Sequence, residues 1–327
     1  MQSDPSEISE SENERGKFSA VLFCLLIAGL TWLSLTTWPL LDRTESRVVT
    51  IAQHMQDSSG WFLLEEPNDN QWERYWAKPP LHYWFVRLAL STSLPLDYAA
   101  RLPALISLIL ILSATYVIAD TYYDRRTARF SVLVLSTSAL FFFTIPLALI
   151  DASLCATLTL ALLTFLRAAR AEEGSRPQLL YAAGVALGIG FCLKGPIALA
   201  LPGFAGFLAI LLRTKIPRLQ VFDFVRMAVG CIAIALPILA LYEAHNPGFL
   251  KYFLLSENLQ RYLGAGYKPI NGSVHSQPYG ASLYFFLLGA LPWSLIFVMS
   301  IYERVRRQHA WQLQWQYSFL LSWALSP

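Results

Sequence analysis

The sequence predicts an all-α polytopic membrane protein, and three observations carry that reading. Its 327 residues are 55% hydrophobic and only 14% charged, against roughly 25% charged in soluble domains. Its apolar residues come in runs that approach or exceed the ~20 needed to cross a bilayer as helix. Lys and Arg collect in alternate short loops, the pattern of segments left on the cytosolic side. The net charge of +3 is too small to suggest a nucleic-acid partner. The four cysteines, Cys24, Cys155, Cys192 and Cys231, lie inside apolar runs without metal-site or disulfide spacing.

Along the chain, residues 1–17 are polar and mixed in charge, and read as a disordered cytosolic tail. Residues 18–327 form one transmembrane module of about nine spans. The predicted spans are 18–40, 102–122, 128–149, 152–168, 178–193, 196–212, 225–244 and 281–302, with a ninth beginning near Trp311. With the N-terminus cytosolic, each inside loop carries three basic residues: Arg125, Arg126 and Arg129; Arg167, Arg170 and Arg176; Arg213, Lys215 and Arg218; Arg304, Arg306 and Arg307. Two long segments, 41–101 and 245–280, then face outward. Within the first, Val48, Ile51, Ala52 and Met55 recur at helical spacing and predict an amphipathic helix over 45–57, lying on the membrane surface. A second surface-lying or re-entrant helix is expected at 79–94, since proline is accepted in a first helical turn.

This topology gathers the unusual ionisable residues at one membrane boundary: Asp42, Glu45, Lys78, Asp151, Lys194, Glu257, Arg261 and His275. Acidic and basic groups around a lipid-facing cavity suit an anionic, membrane-tethered ligand and an acid/base task. Each also has a plainer reading. Asp151 fits a helix N-terminus, Lys78 and Lys194 could snorkel to the interface, and His275 lies in a polar loop. Arg87 would pair with a carboxylate or snorkel. Trp72, Tyr75, Trp76, Tyr83 and Trp84 suit an interfacial aromatic belt.

Several stretches resemble the GT-C superfamily of polyprenyl-phosphate-dependent glycosyltransferases, most closely the lipid A aminoarabinose transferase and protein O-mannosyltransferase group. They are "TESRVVTIAQHM" (44–55), "YWAKPPLHYWF" (75–85), "ARLPALISL" (100–108), "ALIDASL" (148–154), "CLKGPIALALPG" (192–203) and "SENLQRY" (256–262), followed by "VHSQPYGASLYFFLLGALPW". The resemblance implies a GT-C-like helix bundle with surface helices in its first outer loop. It also implies transfer of a sugar from a polyprenyl-phosphate donor to a glycolipid such as lipid A or to a protein hydroxyl, at the outer face of a bacterial cytoplasmic membrane and with inversion. In that scheme Asp151, Glu45 and Asp42 are the candidate catalytic carboxylates. Lys78, Lys194 and Arg261 would hold the donor phosphate, because a fixed cation stabilises charge that grows on a leaving group. Tyr75, Trp76, His82, Tyr83, Trp84 and Glu257 would contact substrate.

The chain departs from the family pattern in places. The first motif acid aligns with Thr44, and Ala77 stands where relatives often carry Glu. A divalent metal ion is therefore compatible with the resemblance but not required by the sequence, with His275 the matched ligand candidate. The sequence stops within its ninth predicted span, so a fragment or a reduced member is expected. Two other classes fit the same residues: a transporter or flippase for a lipid-linked or anionic solute, and an inactive relative serving as an assembly partner. Transporters place binding groups near the bilayer midplane on interrupted helices, whereas here they cluster at one boundary.

Overall fold

A computed structural model describes residues 5–36, 38–40, 43–68, 71–211, 220–260 and 281–306. The helices, in chain order, are α1 (Pro5–Thr36), α2 (Arg43–His54), α3 (Leu81–Leu90), α4 (Leu96–Ala100), α5 (Leu102–Tyr122), α6 (Arg125–Ser136), α7 (Ala139–Thr144), α8 (Ile150–Arg170), α9 (Arg176–Lys194), α10 (Ile197–Leu211) and α11 (Val221–His245). Two shorter helices, Ala281–Gly289 and Trp293–Arg306, follow. A two-stranded antiparallel hairpin pairs Glu65–Asn68 with Gln71–Arg74. Two stretches of π-helix, Met55–Ser59 and Tyr252–Gln260, continue α2 and the short turn after α11.

Among the described residues four helices, α5, α8, α9 and α11, are long and apolar enough to cross a membrane, and two shorter apolar stretches lie at Ser19–Ser34 and Ile197–Leu208. Large apolar side chains such as Leu26, Ile106, Phe222, Phe224 and Leu236 point outward from these helices, as lipid-facing residues do.

Among the described residues, the helices differ from the expected spans in several places. The span expected at 128–149 is broken into α6 and α7. At the break, the Thr137 and Ser138 hydroxyls bond back to Leu133 O at 2.5 Å and Val134 O at 2.7 Å. The Ala139 amide finds the Leu291 carbonyl at 2.9 Å. Irregular backbone at such a depth persists where protein groups satisfy it. The span expected at 281–302 is likewise two helices, parted before Pro292, which has no amide hydrogen with which to continue a helix. The ninth expected span lies outside the described residues. α8, expected at only 152–168, extends to a full 21 residues. The polar tail expected to be disordered joins α1 from Pro5 onward, because a helix once nucleated extends cheaply through residues of fair helix propensity.

Contacts between helix ends fix the polarity of the bundle. At one end, Tyr122 of α5 donates to Leu166 O at 3.1 Å and Arg170 of α8 to Thr121 O at 2.8 Å. At that same end, Arg176 at the start of α9 pairs with the buried Asp223 at the start of α11 at 2.5 Å. The other end holds the start of α5, the start of α8 and the last residue of α9. There Trp32 Nε1 of α1 donates to Arg101 O at 3.3 Å. α9 and α11 run parallel with their backbones nearly touching: a Cβ at Gly184 would overlap the Met227 carbonyl, and one at Gly230 the Tyr181 carbonyl. Small residues that admit such approach are the usual means of helix association in lipid.

α2 forms where the periodicity placed it, and Val48, Ile51, Ala52 and Met55 are all buried. They pack into one protein cluster with Tyr83 and Val86 of α3, Leu193 of α9 and Tyr242 of α11, so that face is covered by protein rather than laid on lipid. This cluster closes the end of the bundle where the candidate residues lie. A second cluster joins α1, α5, α6 and α8.

Candidate active site

Lys78 precedes the Pro79–Pro80 pair that opens α3, where Pro80 O accepts the Trp84 amide at 3.0 Å. Prolines are accepted at that position because their missing amide hydrogen would have no helical partner, and their fixed φ stiffens the backbone bearing the lysine. The Lys78 ammonium lies 3.7 Å from Glu257 Oε1, with 24% of the lysine side chain exposed and 6% of the glutamate. At that separation it is a charge contact rather than a hydrogen bond.

Asp151 occupies the first turn of α8, where helix N-terminal amides favour a carboxylate. Its Oδ1 accepts a hydrogen bond from Lys194 Nζ, the last residue of α9. The Asp151 side chain stays 62% exposed. The turn after Lys194 requires glycine twice over. Gly195 has φ +83°, and a Cβ there would overlap the Phe253 ring. Phe253 stacks on Phe249 at 5.4 Å and lies one turn before Glu257 in the Tyr252–Gln260 π-helix. The two ion pairs are thus held by a single packed junction. Trp76 stands beside it, 6.0 Å from the Tyr252 ring, its indole nitrogen buried without a hydrogen-bond partner.

Glu45, a candidate catalytic acid in the sequence, is buried in an ion pair. It is 1% exposed and its oxygens accept from Arg101 Nε at 2.7 Å and Nη2 at 2.9 Å. The same Oε1 accepts the Ala148 amide at 2.9 Å, three residues before Asp151, so the pair anchors the loop that starts α8. Arg101 also donates to Trp38 O at 2.8 Å. Sequence reasoning passed over Arg101, although an arginine at the head of an apolar span calls for a partner.

Three residues expected to contact substrate are buried. Tyr75 and Tyr83 cross edge to face at 5.9 Å within the apolar cluster, and burial raises the pKa of both phenols. His82 is buried behind the first turn of α8, its Nδ1 3.5 Å from Ser153 Oγ and its Nε2 without a partner. Burial lowers its pKa to about 4, against the weaker opposite pull of the Ala148 backbone and the Asp151 charge. Trp84 donates to Trp61 O at 2.6 Å and stands edge-on to Phe62. Among the described residues Arg87 forms no ion pair with a carboxylate; its guanidinium stacks on Trp61 at 4.0 Å. Asp42, Arg261 and His275 lie outside the described residues. Among the described residues no group of three or more His, Cys, Asp or Glu could hold a metal ion.

Comparison with known proteins adds to this geometry. The model of the dolichyl-phosphate-mannose-protein mannosyltransferase family matches residues 77–242. An undecaprenyl phosphate-alpha-4-amino-4-deoxy-L-arabinose arabinosyl transferase of Yersinia enterocolitica is 26% identical over 314 residues, covering 94% of this chain and 53% of its own length. The protein of that name from Yersinia pestis is 26% identical over 317 residues, at 96% and 54% coverage. The chain therefore spans about half the length of the curated relatives it matches. The crystal structure of ArnT from Cupriavidus metallidurans bound to undecaprenyl phosphate shares the fold, with a TM-score of 0.75 at 22% identity over 93% of this chain and 54% of that one. Its apo state gives a TM-score of 0.72 at 21% identity.

Proposed function

The chain belongs to the dolichyl-phosphate-mannose-protein mannosyltransferase family, and from that premise we propose that it moves a sugar from a polyprenyl phosphate to an acceptor hydroxyl or phosphate. The observation that carries the proposal is the meeting of two ion pairs, Lys194 with Asp151 and Lys78 with Glu257, at one end of the bundle. That end lies opposite the arginine-rich loops, which supports an outer-face position by the bias of positive charge toward the cytosol.

In the proposed reaction the exposed Asp151 carboxylate takes the proton of the acceptor as its oxygen bonds to the anomeric carbon. The bond from that carbon to the phosphate oxygen breaks, and the polyprenyl phosphate departs with both electrons. Lys78 moves from its loose contact with Glu257 to the phosphate and neutralises the growing charge. Lys194 positions the Asp151 carboxylate until the acceptor arrives. One displacement on one face inverts the anomeric centre. Asp42 and Arg261 remain candidates beside these, as a second carboxylate and a second phosphate ligand.

By analogy with its relatives, undecaprenyl phosphate bearing 4-amino-4-deoxy-L-arabinose is the first donor to try; the sequence resemblance makes lipid A the first acceptor and protein hydroxyls the second. The test supplies the purified chain in a bilayer with labelled donor and each acceptor. Label transferred to an acceptor, and lost in Asp151→Asn, supports the proposal. Donor that binds and is never cleaved with any acceptor would overturn it in favour of a carrier or assembly role.

A further inference from the structure

At the opposite end of the bundle a cavity of about 430 Å³ opens between α1, α5 and α8. Its volume falls within the range of small-molecule sites, about 300–1,000 Å³. It is distant from every group in the proposed reaction, and its chemistry is of a different kind. The deeper wall is formed by Ser113 and Tyr116 of α5, while Val21 of α1 forms an outward-facing lip. The mouth carries Asp120, Arg125 and Arg167. Neither Asp120 nor Arg167 forms an ion pair with any described residue. The cavity mouth therefore presents the Asp120 carboxylate beside the Arg167 and Arg125 guanidiniums on the rim of a mainly apolar slot between α1, α5 and α8.

The geometry points to an aminophospholipid site: a glycerophospholipid with a primary ammonium headgroup, of the phosphatidylethanolamine class. One acyl chain enters past Val21, the phosphodiester meets Arg167 and Arg125, and the ammonium meets Asp120. Arginine suits a phosphodiester because its planar fork presents paired donors. A headgroup bearing phosphate alone would leave Asp120 facing like charge. A quaternary ammonium would reach Asp120 without a hydrogen to donate. A soluble phosphate ester would gain nothing from the apolar wall. The site does not depend on the transfer reaction and stands or falls apart from it.

Native mass spectrometry of the purified full chain with defined lipids tests the assignment. Phosphatidylethanolamine is expected to bind at least tenfold more tightly than phosphatidylglycerol or phosphatidylcholine. Asp120→Asn should erase its advantage over phosphatidylglycerol. Arg167→Gln should weaken it about tenfold, whereas Arg126→Gln, whose side chain stacks on Phe130 outside the cavity, should leave it unchanged. Ser113→Leu, which fills the slot without touching a charge, should weaken all three lipids alike. Equal affinity for the three lipids would overturn the site, as would glycerophosphoethanolamine binding as tightly as the lipid, or Arg126→Gln acting like Arg167→Gln.

Discussion

Lys78 and Glu257 stand 3.7 Å apart, one in the segment just before α3 and the other in the π-helix after α11. Their approach brings two regions far apart in the chain to the same point as the Asp151–Lys194 pair. Because the contact is longer than a hydrogen bond, a phosphate oxygen at hydrogen-bond distance would compete with Glu257 for the Lys78 ammonium. Lys78→Ala should weaken undecaprenyl phosphate binding about tenfold, or ~1.4 kcal/mol, with Lys78→Arg retaining most of the affinity. Equilibrium binding in nanodiscs at two salt concentrations measures it, and equal affinity in all three proteins would remove Lys78 from the phosphate site.

Asp151→Asn should lower sugar transfer by about 10²–10⁴-fold, the range supplied by a general base, while donor binding and thermal stability stay near wild type. Single-turnover transfer of labelled sugar reads the rate. Undiminished transfer would assign the proton to another group.

Breaking the buried Glu45–Arg101 pair on one side strands the other charge. Either Glu45→Ala or Arg101→Ala should cost about 3–5 kcal/mol of stability, and the pair Glu45→Gln with Arg101→Met should recover part of it. Thermal unfolding in detergent distinguishes the three. A single variant as stable as wild type would contradict the anchoring role.

The His82 ring gives stability a pH dependence whose sign follows from linkage. Its folded pKa of about 4 lies below the ordinary 6.5, so between those values the unfolded chain binds the extra proton. Stability is therefore full above pH 6.5 and falls as the pH drops toward 4, by on the order of 3 kcal/mol from this group. His82→Phe should flatten that part of the profile of melting temperature against pH; an unchanged slope would locate the titration elsewhere.

Gly195→Ala sets a side chain against both a positive φ and the Phe253 ring. The backbone alone costs ~1–2 kcal/mol. Pairing it with Phe253→Ala should relieve the overlap and leave the backbone penalty. If the double variant were no better than the single, the ring contact would carry no weight.

The spanning helices were the most legible part of the fold. α5 lies at 102–122 as its uninterrupted apolar run required, and α9 and α11 depart from their expected ends by a few residues. The breaks in the 128–149 and 281–302 runs were hidden because Thr137, Ser138 and Gly289 sit in strongly apolar surroundings. What parts the helices is a set of local bonds, and one from Ala139 to Leu291, that no periodicity announces. The hairpin at 65–74 was missed for a similar reason: its four-residue strands are too short to show alternation. Within the site, the residue types of Lys78, Asp151 and Lys194 stood out as charges beside apolar runs. Their pairing, with each other and with Glu257, did not, since pairing between distant segments is a product of packing. Glu45 drew attention as an acid in the right motif, and only its burial against Arg101 separates anchoring from chemistry.

The near-contact of Gly184 and Gly230 with the facing backbone makes α9 and α11 a single stiff strut, with Lys194 at the tip of one leg and the approach to Glu257 beyond the other. Sliding one leg past the other would bring the side chains that flank these glycines against the facing carbonyls, so the pair resists shear. Any rearrangement that admits a ligand must therefore be taken up beyond the strut, in the turn at 246–248 and the π-helical stretch after it, while the floor carrying Lys194 holds still.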